Sequence, residues 1–522
     1  MRRAILLALA LTVASPALAQ TATGQADRAT RWQEQVAILA SDEMEGRAAG
    51  TPGHMRAVEH IVGELRRLGL EPAGTEGFLQ PIQFIEQRFD AAGSNATLVA
   101  GGISQPVALP AMANVQAGRP IPARIDAPLV FVGFGLHIPD AGHDDLAGLD
   151  LTGKIVVYVG GRPQGLPANA LSSALGTRLR TYAERGAVGA IVLGAPAATP
   201  EAWTRVTATA RPGIYAADQA SPFLDMAWNP AENERLFAGS GASFAGILAA
   251  ARAGQPLPRI EIAARLTGTF AATRSTIVTP NVVARLPGSD PAIRDEYIVM
   301  TAHTDGYGIG EPVNGDSIYN GALDNAAGTA ALIDIAEQLQ AQRPRRSILF
   351  TFVTAEEKGL LGARYFVRNP TVPRESIVAN LNYDMALPLY PLTSVTVLGA
   401  EESSIGADAQ AVGVRMNLPL APDPFPERNS FIRSDQFAFI EAGIPAVAFK
   451  FGFAAETPEA ETERAFRAER YHQPSDDMTT RIFPQDEIRL HDFIANLALR
   501  IANAEGRPQW NQGSRFAVPT NR

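Results

Sequence analysis

With seven histidines and no cysteine among 522 residues, any metal site in this chain must be built from imidazole and carboxylate groups. Two of the histidines stand in segments that could carry such a site. His303 closes the apolar run EYIVMTAH, with Asp305 two residues further on, and His472 lies in RYHQPSDD. Glu356 and Glu357 follow ILFTFVTA, Asp384 follows IVANLNY, and Asp324 sits in GALDNAAGTAAL just before an apolar helix. Nitrogen and carboxylate oxygen together suit zinc, whereas calcium and magnesium prefer shells made only of oxygen. Two ions about 3.5–4 Å apart need a bridging carboxylate, and such a pair polarises a carbonyl while it activates water. Asp324 is the expected bridge. Asp305 is expected to accept the second imidazole N–H of His303 and so fix its tautomer.

Each residue alone has a plainer reading. An Asp before a helix is more often an N-cap, two acids at a strand end are usually a solvated turn, and a His near Pro is usually a loop residue. Those readings predict no relation among the positions, yet the ligand types recur at the exits of one repeating pattern.

That pattern is strand, helix, strand, helix. NVVARLPG, EYIVMTAHTDG, RRSILFTFVTAEE and SIVANLNYDMA read as strands, and AAGTAALIDIAEQL as a buried helix. Fully apolar strands in such alternation imply an α/β fold, a mostly parallel central sheet with helices on both faces. Ligands bind such sheets beyond the carboxyl ends of the strands, where these residues fall. Upstream, HMRAVEHIVGELRRLGL places Met55, Val58, Ile61, Val62, Leu65 and Leu68 at helical spacing, with Gly69 as a C-cap. Residues 20–30 read as a polar leader, with a helix at about 31–40. From about 110 to 250, short runs such as APLVFVGFGL and GKIVVYVGG, rich in Gly, Pro and Ala, read as a smaller β-rich domain. A last helix spans roughly Pro484 to Ala504, and the polar tail after it is expected to be mobile. RSDQFAFIEAGIPAVAF reads as loop, short helix and buried strand, with Ser434 and Asp435 capping the helix. His137 and His143 are expected in a solvated loop, and His54, His60 and His491 in surface or packing roles.

Composition is that of a globular protein, 46% apolar and 19% charged, and the length calls for two domains. A net charge of −9 offers no basic field for phosphate backbones, so nucleic acid is not an expected partner. The opening MRRAILLALALTVASPALAQ has a basic start, an apolar stretch and a small-residue exit, the pattern of an export signal cleaved near Ala19. Its apolar run is too short to span a membrane and no later segment is long enough, so no transmembrane anchor is expected. Export leaves the periplasm and the medium both open as destinations.

At MTAHTDG, GALDNAAGTAALIDIA, VTAEEKGLLGARYF, NLNYDM and YHQPSDD the chain resembles the di-zinc exopeptidases related to bacterial leucyl aminopeptidase and glutamate carboxypeptidase. LASDEMEGRAAGTPGHMRAVEHIVGELRRLGLEPAG is similar to that family's opening segment, and FVGFGLHIPDAGHDDLAGLDLTGKIVVYVGG resembles the protease-associated domain that many members carry as an insertion. The resemblance implies a zinc-exopeptidase (phosphorylase/hydrolase-like) domain at 28–110 and 250–510, an inserted domain at 111–249, a signal peptide at 1–19 and a mobile tail at 511–522. It implies two zinc ions per chain, one held by His303, Asp324 and Asp384, the other by Asp324, Glu357 and His472. It also implies Glu356 as general base, Tyr471 as oxyanion support and a cis Asp324–Asn325 peptide. Peptides are the implied substrates, cleaved at the N-terminal bond. A carboxypeptidase, a glutaminyl cyclase and a noncatalytic receptor-like binding protein are the alternatives on the same fold.

Overall fold

The computed structural model describes residues 16–166, 168–194, 203, 212–218, 221–514 and 516–517. Its main strands are Leu79–Ala100 (β1), Arg124–Val132 (β2), Ile155–Val159 (β3), Gly189–Leu193 (β4), Leu224–Trp228 (β5), Arg259–Leu286 (β6), Tyr297–His303 (β7), Ser347–Val353 (β8), Ile377–Asn382 (β9), Val395–Leu398 (β10) and Ala446–Phe451 (β11). The helices that matter for the site are Pro16–Leu39 (α1), Pro52–Arg67 (α2), Ala327–Gln340 (α3), Gln436–Glu441 (α4), Pro458–Glu469 (α5) and Pro484–Asn503 (α6).

Every residue of β7, β8 and β9 is buried, because both faces of these strands are covered. Alternate side chains divide between two cores. Phe350 joins Trp32, Ile61, Ile335 and Phe493 on one face, while its neighbour Leu349 joins Val299, Phe366, Phe437 and Phe439 on the other. The three strands are parallel, with His303 opposite Val353 and Thr301 opposite Asn382. That register delivers the residues following Val353 and Asn382 to the edge where His303 ends.

The long strands β1 and β6 pair antiparallel from Ala100–Ala264 to Leu79–Val282. At one end β6 borders β8, through Val282–Leu286, and at the other it borders β2. Strands β2 to β5 form a second parallel group, with its own core of Leu98, Phe131, Val157, Trp228 and Leu266. One sheet thus contains two parallel groups joined by a long antiparallel ribbon.

Two expectations change. The stretch 20–30 is helical, part of α1, and is no polar leader, because Arg28 donates to Asp334 and to Asp492, each at 2.7 Å. The tail is packed as far as Phe516, whose ring meets those of Phe431 and Trp510, each at 5.7 Å between centroids. Residues 1–15, most of the expected export signal, lie outside the described residues, while Ala19 falls within α1. Among the described residues no helix is long and apolar enough to cross a membrane.

Arg28 belongs to a buried polar network. His491 Nδ1 lies 2.8 Å from Asp334, and Tyr383 donates its hydroxyl to Glu487 one turn before His491. Burial works against a charged imidazole here, but the hydrogen bonds and charges of Asp334 and Glu487 outweigh it and push His491 up to about 9. A folded-state value above the unfolded one of about 6.5 adds stability that is complete below that pH and vanishes as pH rises through the folded value. The difference in melting temperature between the native chain and His491→Gln should therefore shrink as the buffer is raised from pH 6.5 to pH 9. A constant difference across that window would show that His491 is held neutral.

Candidate metal centre

Five side chains from five places in the chain converge beyond the carboxyl ends of β7, β8 and β9. His303 Nε2 lies 3.3 Å from Asp324 Oδ1 and 3.5 Å from Asp384 Oδ1. On the other side of Asp324, His472 Nε2 lies 3.2 Å from Oδ2 and 3.5 Å from Glu357 Oε2. His303, Asp324 and Asp384 form one group able to hold a cation, and Asp324, Glu357 and His472 form another. The two oxygens of Asp324 face different imidazoles. The N···O spacings are long for hydrogen bonds, but two ligands about 2.0–2.1 Å from one tetrahedral zinc stand about 3.3 Å apart. His303 Nε2, Glu357 Oε1 and Asp384 Oδ1 are buried and have no hydrogen-bond partner among the described residues. Buried lone pairs left unpaired in this way are costly unless a cation takes them up, so the residues present fit zinc.

Electrostatics agree with that fit. Burial raises Glu357 well above the usual carboxylate range, and the charge of Asp324 raises it further. Glu356 is likewise raised, by burial and by Glu357 and Asp435. For Asp324 burial acts upward, but hydrogen bonds to His303 and His472 hold it below the ordinary value. Glu356 belongs to neither ligand group, although it neighbours Glu357.

The backbone around these ligands is held by groups the sequence reading did not assign. The Arg47 guanidinium is 1% exposed and donates to the carbonyls of Leu39, Thr304, Asn320 and Gly321. Asp476, in the same segment as His472, accepts the backbone N–H groups of Leu323 and Asp324, both at 3.0 Å. The Asp324–Asn325 peptide is cis, and the Asn325 side chain accepts the Gly328 N–H at the start of α3 while donating to the Tyr383 carbonyl. Thr329 on α3 donates to the His303 carbonyl. His54, buried on α2, links Thr304 to Thr279, and burial pushes it down to about 3.

Asp305 acts differently from expectation. Its carboxylate is 3.8 Å from His303 Nδ1, which donates instead to the Asp305 backbone carbonyl at 3.2 Å. The carboxylate accepts the N–H groups of Glu356 and Glu357, at 3.0 and 3.3 Å, and so anchors the turn that carries them. Tyr471 stacks on His472 with ring centroids 3.6 Å apart. Tyr307, unassigned from sequence, places its hydroxyl 3.0 Å from His472 Nδ1; its only sequence signal was its place in HTDGYG, four residues after His303. Asp435 precedes α4 without capping it, and both its carboxylate oxygens are buried with no hydrogen-bond partner among the described residues, while Ser434 accepts from Asn382 at 2.9 Å. His137 and His143 pair with Asp144 and Asp145, away from the two ligand groups.

Residues 281–498 match peptidase family M28. A probable leucine aminopeptidase 2 of Aspergillus oryzae is 30% identical over 218 residues, 38% of this chain and 40% of that protein. Aminopeptidase Y of Saccharomyces cerevisiae is 28% identical over 212 residues, 39% of this chain and 35% of that protein. The chain thus spans about two-fifths of the length of these curated relatives. In overall fold it is similar to an aminopeptidase from Aneurinibacillus sp. strain AM-1, with a TM-score of 0.51 and 18% identity over 90% of this chain and 93% of that one.

Replacing Asp476 with alanine strands two buried N–H donors on the Asp324 turn. At about 1–3 kcal/mol for each such donor, Asp476→Ala should lower stability in urea by about 2–6 kcal/mol, and Asp476→Asn by less. Equal stability of Asp476→Ala and the native chain would show that water replaces the carboxylate.

Proposed function

We propose, taking residues 281–498 as a peptidase family M28 domain, that the chain is an exported zinc-dependent aminopeptidase that hydrolyses the N-terminal bond of peptides. The observation that carries this is Asp324, one carboxylate shared by two three-residue groups in which His303 Nε2, Glu357 Oε1 and Asp384 Oδ1 are buried without hydrogen-bond partners among the described residues. His303, Asp324 and Asp384 would hold one zinc ion, and Asp324, Glu357 and His472 the other. When bound, the ions supply Lewis-acid polarisation of the scissile carbonyl and lower the pKa of water. Glu356, outside both ligand sets, takes the proton from the attacking water and delivers it to the leaving amine nitrogen. A base that stayed on a metal could not cycle the proton, and the Asp305-anchored turn keeps Glu356 and Glu357 in separate roles. Tyr471, held against His472, donates its hydroxyl to the oxygen that gains negative charge. The free α-amine of the substrate is drawn to the carboxylates of the site, which sets the N-terminal direction. The names of the aminopeptidase relatives support that direction.

The division of the chain belongs to the same reading. Residues 111–249 form the inserted protease-associated domain, and 28–110 with 250–510 the catalytic one; the separate core around Phe131 and Val157 supports this. The basic and apolar opening residues support export.

Elemental analysis should find two zinc ions per chain, with both diminished in Asp324→Asn. Leucine p-nitroanilide should be cleaved and its amino-acetylated form left intact. Glu356→Gln should keep its zinc and lose about a hundredfold to ten-thousandfold in kcat. Undiminished turnover would remove Glu356 as the base. Cleavage of an amino-acetylated dipeptide with a free C-terminal carboxylate, but not of leucine p-nitroanilide, would favour the carboxypeptidase alternative, and cyclisation of N-terminal glutamine without hydrolysis the glutaminyl cyclase.

A further inference from the structure

Beside Asp384 lies a cleft that the proposed chemistry does not use. The residues after β9, the strand β11, the segment leading into α4 and the helix α5 enclose it, and its walls include Asp384, Arg433, Ser434, Lys450, Arg467 and Tyr471. It therefore begins at one metal-ligand carboxylate and at the tyrosine assigned to the oxyanion. On the acyl side of the bond an aminopeptidase cuts there is a single residue, so a cleft continuous with these two groups is placed to receive that residue's side chain.

The charges of the cleft are unbalanced. Arg428 and Arg467 converge on one acid, Glu463. Lys450 spends its ammonium on neutral acceptors, the main-chain carbonyls of Asp384 at 2.6 Å and Met385 at 2.8 Å. In the adjoining recess Asp423 accepts the Phe425 N–H. Four cations thus face two acids, apart from Asp384, which belongs to the metal centre. The Arg433 side chain has neither an acid nor a hydrogen-bond partner among the described residues, and the residue is exposed at the cleft. Met385, Leu398 and Ala448 line the cleft as well and can take the methylenes of an entering side chain, and a carboxylate at its end would find a guanidinium fork free to pair with it.

We infer that this cleft selects substrates whose N-terminal residue is acidic, with Arg433 pairing with the side-chain carboxylate. The inference rests on the aminopeptidase reading and names the substrate class of that site. Arg433 acts as a specificity-determining residue and touches none of the reacting atoms.

The test compares kcat/KM for glutamyl, glutaminyl, leucyl and lysyl p-nitroanilides, with the zinc-loaded native chain, Arg433→Met and Arg433→Glu. Glutamyl and glutaminyl substrates have nearly the same shape and differ in charge, and neither carries an α-carboxylate. The native chain should favour glutamyl over glutaminyl by about tenfold or more, as one charge-assisted pair predicts. That ratio should fall toward one in Arg433→Met, and Arg433→Glu should move the preference toward lysyl, a gain that damage to the fold would not produce. Added salt should erode the native preference, because the guanidinium is exposed and screened over about 8–10 Å. Glutaminyl or leucyl turnover equal to glutamyl, or a ratio unmoved by both substitutions, overturns the inference and leaves the aminopeptidase standing. Failure to cleave all four substrates overturns the aminopeptidase reading and the inference with it. Faster cleavage of Leu-Gly than of its C-terminal amide, with no glutamyl advantage, would mean that the cations grip a terminal carboxylate, and this too would overturn it.

Discussion

The arrangement turns on one carboxylate placed between two imidazoles. Asp324 presents Oδ1 to His303 and Oδ2 to His472, and each contact is meaningful only if the peptide carrying Asp324 is held still. Three kinds of group hold it. Asp476 takes the two N–H groups of the turn, Arg47 takes the carbonyls of Asn320 and Gly321 just before it, and Asn325 ties it to α3 and to the strand exit at Tyr383. These contacts come from segments hundreds of residues apart, so the turn is a product of the whole domain.

Arg47 serves a second purpose. Asp305, Asp324, Glu357 and Asp476 are gathered in a small volume from which water is largely excluded, and acids so placed repel one another. A buried guanidinium that spends its hydrogen bonds on carbonyls lends its charge to all of these acids without pairing with one. The atoms of the two candidate ligand groups are thereby left free. Asp305 shows the same economy, since it braces the Glu356–Glu357 turn from behind and never enters a ligand group.

The sheet supplies the coarse alignment. Because His303 lies opposite Val353, and Thr301 opposite Asn382, a slip of one residue between these strands would turn the ligands to the wrong face. The slip is prevented by burial on both faces, with Leu349 and Phe350 committed to different cores. The ribbon of β1 and β6 then ties this group to the second one, so the cleft beside Asp384 and the half of the molecule around Phe131 share one continuous sheet.

Much of this was legible without coordinates. Apolar runs of strand length that end in His303, Glu356, Glu357 and Asp384 specify both the buried parallel strands and the edge where their ligands emerge, because strand exits depend on local pattern. The amphipathic spacing of Met55 to Leu68 specifies α2 in the same way. Other features were not legible, for reasons that are physical. The helicity of residues 20–30 depends on Arg28 meeting Asp334 and Asp492, more than 300 residues away, and local polarity hides that. Asp305 was read as a partner for His303 because spacing along the chain cannot tell which of its oxygens, backbone or carboxylate, turns toward the ring. Tyr307, Arg47 and Asp476 carry no spacing signature, since their partners are mostly main-chain groups and one ring nitrogen brought near only by folding. By itself, then, the sequence determined the ligand types, the strands that deliver them and the α/β alternation, all consequences of short-range periodicity. Only the tertiary structure decided which oxygen faces which imidazole, which acids brace the turns from outside the two candidate ligand groups, and that the Arg433 side chain, without an acid partner among the described residues, lines the same cleft as Asp384, because each depends on distances between segments that the chain order leaves free.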